Sequence, residues 1–199
     1  MKTVLRAGRL ATVTFVLVAT LLFYGCNLGF LETGDGSDNG SAYSAFQRET
    51  LEEINFLRTN PGGYADARLT DEYDAGTDNG ALTDLHGRTA VGALSLNAKL
   101  CNAAGDYARY LAKNNVFGHY ERLTPAERCV EAGYEYYSGE NIAAGSFPRL
   151  NAEEDAVLAA REFVEMLVID EGVPSLGHRN NLLSATHRVV GIGFHRDTS

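Results

Sequence analysis

The 199-residue chain has no tryptophan, only three cysteines, and 17 lysines and arginines against 26 acidic residues. With 45% hydrophobic and 22% charged residues, it cannot be collagen-like, coiled-coil or wholly disordered. It is long enough for one domain of roughly 150 residues with a substantial core. Basic residues are scarcer still in the body. The first 25 residues hold Lys2, Arg6 and Arg9 but no acid, so losing those three charges takes the formal −9 to −12. A body that acidic repels phosphate backbones, and nucleic acid is not an expected partner. Familiar catalytic patterns are missing too: no Gly-x-Ser-x-Gly, no His-Glu-x-x-His, no phosphate-binding glycine loop and no Cys-x-x-Cys.

The apolar run over residues 10–24 follows the basic start and is short for a membrane span. Residues 1–25 read as an export signal. The run ends Leu22-Phe23-Tyr24-Gly25-Cys26, similar to a bacterial lipoprotein box in which Cys26 would be acylated. An uncleaved anchor helix is the alternative, and both readings put the body outside the cytoplasm. Residues 26–45, with Thr33-Gly34-Asp35-Gly36-Ser37, read as a flexible linker. A calcium loop there is rejected, because its twelfth position is Phe46 rather than Glu. With Cys26 lipidated, Cys101 and Cys129 are left as a pair in an oxidising compartment. A bridge between them would close a loop of about 28 residues, worth roughly 3–4 kcal/mol. Two buried free thiols are the other reading.

In the body, Leu51, Ile54 and Leu57 mark one face of a helix over residues 46–59, stopped by Asn60-Pro61-Gly62-Gly63. Residues 70–92 read as a long surface loop. Asn97 caps a second helix with Leu100, Ala104, Tyr107, Ala108 and Leu111 along one side. Thr124-Pro125-Ala126-Glu127 is a capping box with proline at the first helical position, opening a short helix that holds Cys129. A fourth helix follows Asn151 and turns Val157, Ala160, Val164 and Leu167 inward. Strands are expected at residues 141–144 and 189–194. Helices and strands that do not alternate as βαβ units predict an α+β fold with a small antiparallel sheet.

Three glycines each directly precede a titratable side chain: Gly118-His119, Gly139-Glu140 and Gly177-His178. Their placement at the ends of predicted elements suggests groups steered toward one cleft, glycine being permissive of unusual backbone angles. Asp170 and Glu171, ending the fourth helix, add a carboxylate. His86, His187 and His195 read as surface residues. Tyr134, Tyr136 and Tyr137 read as packing residues or cleft walls.

These segments together resemble the CAP superfamily of cysteine-rich secretory, antigen 5 and pathogenesis-related proteins, in its bacterial SCP-domain form. The likeness runs through Asn55-Phe56-Leu57-Arg58-Thr59-Asn60-Pro61, Phe117-Gly118-His119 and Thr124-Pro125-Ala126-Glu127-Arg128. It continues through Gly139-Glu140-Asn141-Ile142, Gly177-His178-Arg179-Asn180-Asn181 and Val190-Gly191-Ile192-Gly193. The domain is drawn over residues 46–199. The resemblance implies a three-layer α-β-α sandwich around a cleft lined by His119, Glu140, Asp170 and His178, with Glu171 a near-equal choice for the second acid. It also implies that His119 and His178 can hold a divalent metal, often zinc.

A metal-bound water with Glu140 as base would make a hydrolase, such as a peptidase. A purely structural hydrogen-bonded network is the third reading, as in an envelope protein. Partners implied by the resemblance are a lipid or small hydrophobic ligand, or an envelope protein, with membrane attachment through Cys26. Relatives continue into a further strand where this sequence reads His195-Arg196-Asp197-Thr198-Ser199. Either the chain is truncated, leaving residues 189–194 an open edge, or the segment before Phe46 substitutes.

Overall fold

In the computed structural model, the described residues are 14–22, 44–69, 79–137, 139–146 and 153–196. The elements run β1 (Thr14–Leu22), α1 (Ala45–Thr59), α2 (Pro61–Arg68), α3 (Ala81–Gly87), β2 (Ser95–Leu96), α4 (Ala98–Asn114), α5 (Pro125–Glu131), β3 (Gly139–Ser146), α6 (Glu153–Ile169), α7 (Gly177–Leu182) and β4 (Val189–Arg196). The fold is α+β. The four strands lie in the order β2-β4-β1-β3. β1 is antiparallel to both neighbours, whereas β2 runs parallel to β4, which corrects the expectation of a wholly antiparallel sheet.

Side-chain alternation along the strands separates two helical layers. On β3, Ile142 packs with Ala104, Tyr107, Ala108 and Leu111 of α4, while Ala143 joins the cluster built by α1 and α6. On β4, Val190 and Ile192 face that α1/α6 cluster. Gly191 and Gly193 face α4 so closely that a Cβ at either position would overlap the Leu100 or Ala104 backbone. Only glycine permits that approach. Ile54, Leu57, Phe163 and Val164 are fully buried between α1 and α6, each contributing roughly 1.5–3 kcal/mol.

Local signals explain the helix starts. Asn97 accepts from the Leu100 amide, and the Thr124/Glu127 capping box is fully formed. A second capping box, Ser44 with Gln47, opens α1. Asn60-Pro61 does end α1, but it also starts α2: the Asn60 side chain accepts from the Gly63 amide and proline takes the first helical position. The supposed loop over residues 70–92 contains α3, which buries Ala81 and Leu85; residues 70–78 lie outside the described residues, as do Asn151 and residues 26–43 of the linker.

Residues 14–22 belong to the run read as an export signal. Here they pair with β3 from Thr14↔Ser146 to Leu21↔Gly139, and with β4 from Phe15↔Arg196 to Leu22↔Val189. β4 is therefore paired along its length by β1 on one side, and on the other by β2 at Val189 and Val190. The segment before Phe46 takes the inner place in the sheet.

The bridge expected between Cys101 and Cys129 is also corrected: both are free and buried. The Cys101 thiol, on α4, receives the Ile192 amide at 3.4 Å. Cys129, on α5, packs against Leu100. Burial, then the nearby Glu140 charge, pushes its thiol up to about 11.

Candidate functional site

Four separate stretches bring the predicted residues to one place. His119 lies in the irregular segment between α4 and α5, Glu140 is the second residue of β3, Asp170 follows α6, and His178 is the second residue of α7. All but Asp170 line a cleft of about 510 Å³, with Tyr120, Tyr137 and Asn141. Asp170 lies behind it.

Each histidine is paired to a buried carboxylate. His119 Nδ1 stands 2.9 Å from Glu140 Oε1, and His178 Nδ1 stands 2.6 Å from Asp170 Oδ1. The carboxylate side chains are 2% and 0% exposed, the imidazoles 35% and 23%. A carboxylate accepts from Nδ1–H, which leaves the Nε2 lone pair of each ring for a ligand. The ring centroids are 6.5 Å apart with planes inclined by 31°.

The two pairs are supported differently. Asp170 sits at φ +58°, in the left-handed region, and its Oδ2 receives the backbone amides of His178 (2.9 Å) and Arg179 (3.1 Å). Arg179 is fully buried and donates to the Val168 and Ile169 carbonyls, satisfying the end of α6. Glu140 Oε2 receives Arg128 Nη2 at 2.5 Å, and Arg128 Nη1 donates to the His119 and Leu123 carbonyls. Asn141 donates to the His178 carbonyl and receives Asn181, tying β3 to α7.

Of the two acids, Asp170 meets His178 and is buried, whereas Glu171 is exposed. Of the three glycines, only Gly139 is demanded by space: a Cβ there would strike the Asn181 side chain. At Gly118 only the flexible end of Glu121 is close, Gly177 has ordinary room, and none of the three has positive φ. Arg128 and Arg179 sat inside recognised motifs without a role; a buried carboxylate's need for a partner was the usable signal.

His86 is exposed beside Asp66, as expected. His187 is a correction: it is 3% exposed and donates from Nδ1 to the Asn181 carbonyl, and burial lowers it to about 4. Tyr137 is pushed up by burial and by Glu140, whereas Tyr136 is exposed.

Two neutral imidazole Nε2 atoms suit a borderline metal such as zinc. With about 2.1 Å to the metal and about 1.1 Å from nitrogen to ring centre, tetrahedral ligation needs centroids roughly 5.2 Å apart. The observed 6.5 Å asks for an approach of about 1.3 Å. Among the described residues no group of three or more His, Cys, Asp or Glu could hold a metal ion. The cleft therefore offers at most the two imidazoles as protein donors.

The sequence model of CAP, the cysteine-rich secretory protein family, matches residues 51–199. Neither the curated proteins nor the solved structures contain a match to this chain.

Proposed function

Because the chain belongs to the cysteine-rich secretory protein (CAP) family, we propose that it is an exported binding protein whose cleft takes a polar ligand between His119 and His178, with a divalent metal such as zinc held by their Nε2 atoms. One observation carries this reading. Both Nδ1 atoms are committed to buried carboxylates, so two oriented Nε2 atoms face one cleft. A bound metal would supply a Lewis acid. The chain's own groups orient the imidazoles and fix their protons on Nδ1. The lining is rich in hydrogen-bonding groups, including His119, His178, Asn141 and Asn181, which favours a polar ligand over the lipid or small hydrophobic one.

The hydrolase alternative requires Glu140 as its base. Both Glu140 oxygens are engaged, one by His119 and one by Arg128, and the side chain is 2% exposed. These engagements favour an orienting role for Glu140 over that of a base.

CAP-family proteins are typically extracellular, and no described helix is long and apolar enough to cross a membrane. We assign residues 1–25 to export and Cys26 to lipid attachment on their sequence pattern; cleavage before Cys26 would remove β1 and open the sheet between β3 and β4. N-terminal mass measurement, with detergent partitioning of Cys26→Ser, tests that assignment. Retention of an unmodified residue 1, or unchanged partitioning of the variant, contradicts it.

Zinc titration followed by thermal melting tests the cleft. Stabilisation by zinc is expected, reversed by chelator and lost in His119→Ala and His178→Ala. Equal destabilisation of both variants in chelator, with no zinc effect on the wild type, assigns the four residues to a structural network instead.

A further inference from the structure

The two halves of the cleft are held by different kinds of group. The carboxylate behind His178 is gripped by main-chain amides, those of His178 and Arg179, on a helix start that side-chain substitution barely alters. The carboxylate behind His119 is gripped by one side chain. Arg128 projects from α5, is 5% exposed, and uses its planar fork in two directions. One arm meets Glu140 Oε2; the other meets the carbonyls of His119 and Leu123.

The guanidinium carbon lies 3.4 Å from the centre of the Tyr107 ring. The Tyr107 hydroxyl in turn donates to the Gly118 carbonyl and receives the Glu121 amide. The segment carrying His119 has no helix or strand of its own, so these contacts set where the imidazole stands.

We infer that Arg128 is the positioning residue of the cleft, joining the His119 main chain and the Glu140 carboxylate into one unit and so fixing which ring nitrogen His119 presents to a ligand. This deepens the binding reading above and rests on the same cleft. A lysine cannot replace it fully, because a point donor does not fork to a carboxylate and two carbonyls together. Without the guanidinium, the buried Glu140 loses its countercharge and its fixed orientation, and His119 loses its preferred tautomer. His178 keeps its own support.

The test reads the ring nitrogens directly. Long-range ¹H–¹⁵N spectra of the full chain, without metal and at one neutral pH, should show Nδ1–H forms at both His119 and His178. In Arg128→Gln, His119 should shift to a mixture of tautomers while His178 stays put. Arg128→Lys should fall between wild type and Arg128→Gln, and it supplies the reading should Arg128→Gln fail to fold. Zinc affinity in the same samples should fall about tenfold or more in Arg128→Gln, with partial recovery in Arg128→Lys.

Wild-type His119 signals in the folded variant overturn the inference, as do equal shifts at both histidines, which would make Arg128 a general structural support. If the wild type takes up no zinc, the metal reading falls, and the ring-nitrogen spectra still decide the role of Arg128.

Discussion

His187 makes the protein sensitive to acid at a defined place. It is buried near the end of α7, its Nδ1–H donates to the Asn181 carbonyl at 3.1 Å, and its own carbonyl receives Arg58 at 3.4 Å. Burial, with lesser contributions from the Arg58 and Arg188 charges, lowers the imidazole from 6.5 to about 4. Above pH 6.5 the ring is neutral folded or unfolded, and no proton linkage acts. Between 6.5 and 4 only the unfolded chain takes the proton, so stability falls as the pH falls.

At 1.36 kcal/mol per pH unit, that window corresponds to at most about 3.4 kcal/mol. Half-protonation of the folded ring near pH 4 brings the figure to about 2–3 kcal/mol. Urea unfolding at pH 7 and pH 4, for wild type and His187→Gln, isolates it. The variant, which keeps a donor for Asn181 but cannot titrate, should lose about 2–3 kcal/mol less over that interval. Parallel losses in the two proteins would show that the imidazole is already accessible to protons and would refute the reasoning.

Three further outcomes are expected. Asp170→Asn should lower stability by about 2–4 kcal/mol in chemical denaturation and abolish any zinc-induced rise in melting temperature, since two amides and His178 lose a charged acceptor. Gly191→Ala should cost about 3 kcal/mol or more in the same assay, because the new methyl group overlaps the α4 backbone at Leu100. Cys101 and Cys129 should react with a thiol reagent only after denaturation, and non-reducing mass analysis of the purified protein should show no bridge between them.

Much of the scaffold was legible where the signal is local. Asn97 and the Thr124/Glu127 box act within one helical turn, and their helices start as read. The inward sides of α1 and α4 follow the 3.6-residue period. Asn60-Pro61 was harder, because one dipeptide both terminates α1 and begins α2. α3 was hidden in a polar stretch where two residues, Ala81 and Leu85, supply the buried contact.

An apolar run such as residues 10–24 satisfies the requirements of a leader and of an inner strand equally, and composition cannot separate them. In the cleft, His119, Glu140, Asp170 and His178 were reachable through motif resemblance. Asp170 prevailed over Glu171 through a positive-φ turn that no local pattern announces. Arg128 carried no role in the sequence and His187 reads there as a surface residue, because what buries each of them comes from afar. Arg128 reads as the polar face of a short helix until β3 brings Glu140 to it. His187 reads as a turn until Arg58, far along the chain, closes over its carbonyl.

On the export reading proposed above, residues 14–22 would serve in turn as part of a leader and as the inner strand of the sheet. While a translocation pore held that stretch, it could not lie between β3 and β4, and each of those strands would keep a row of unsatisfied main-chain groups. Closure of the domain would then wait until these nine residues, or another extended segment, arrived in the gap. The order in which the chain is released would decide whether it closes on itself or on a neighbour.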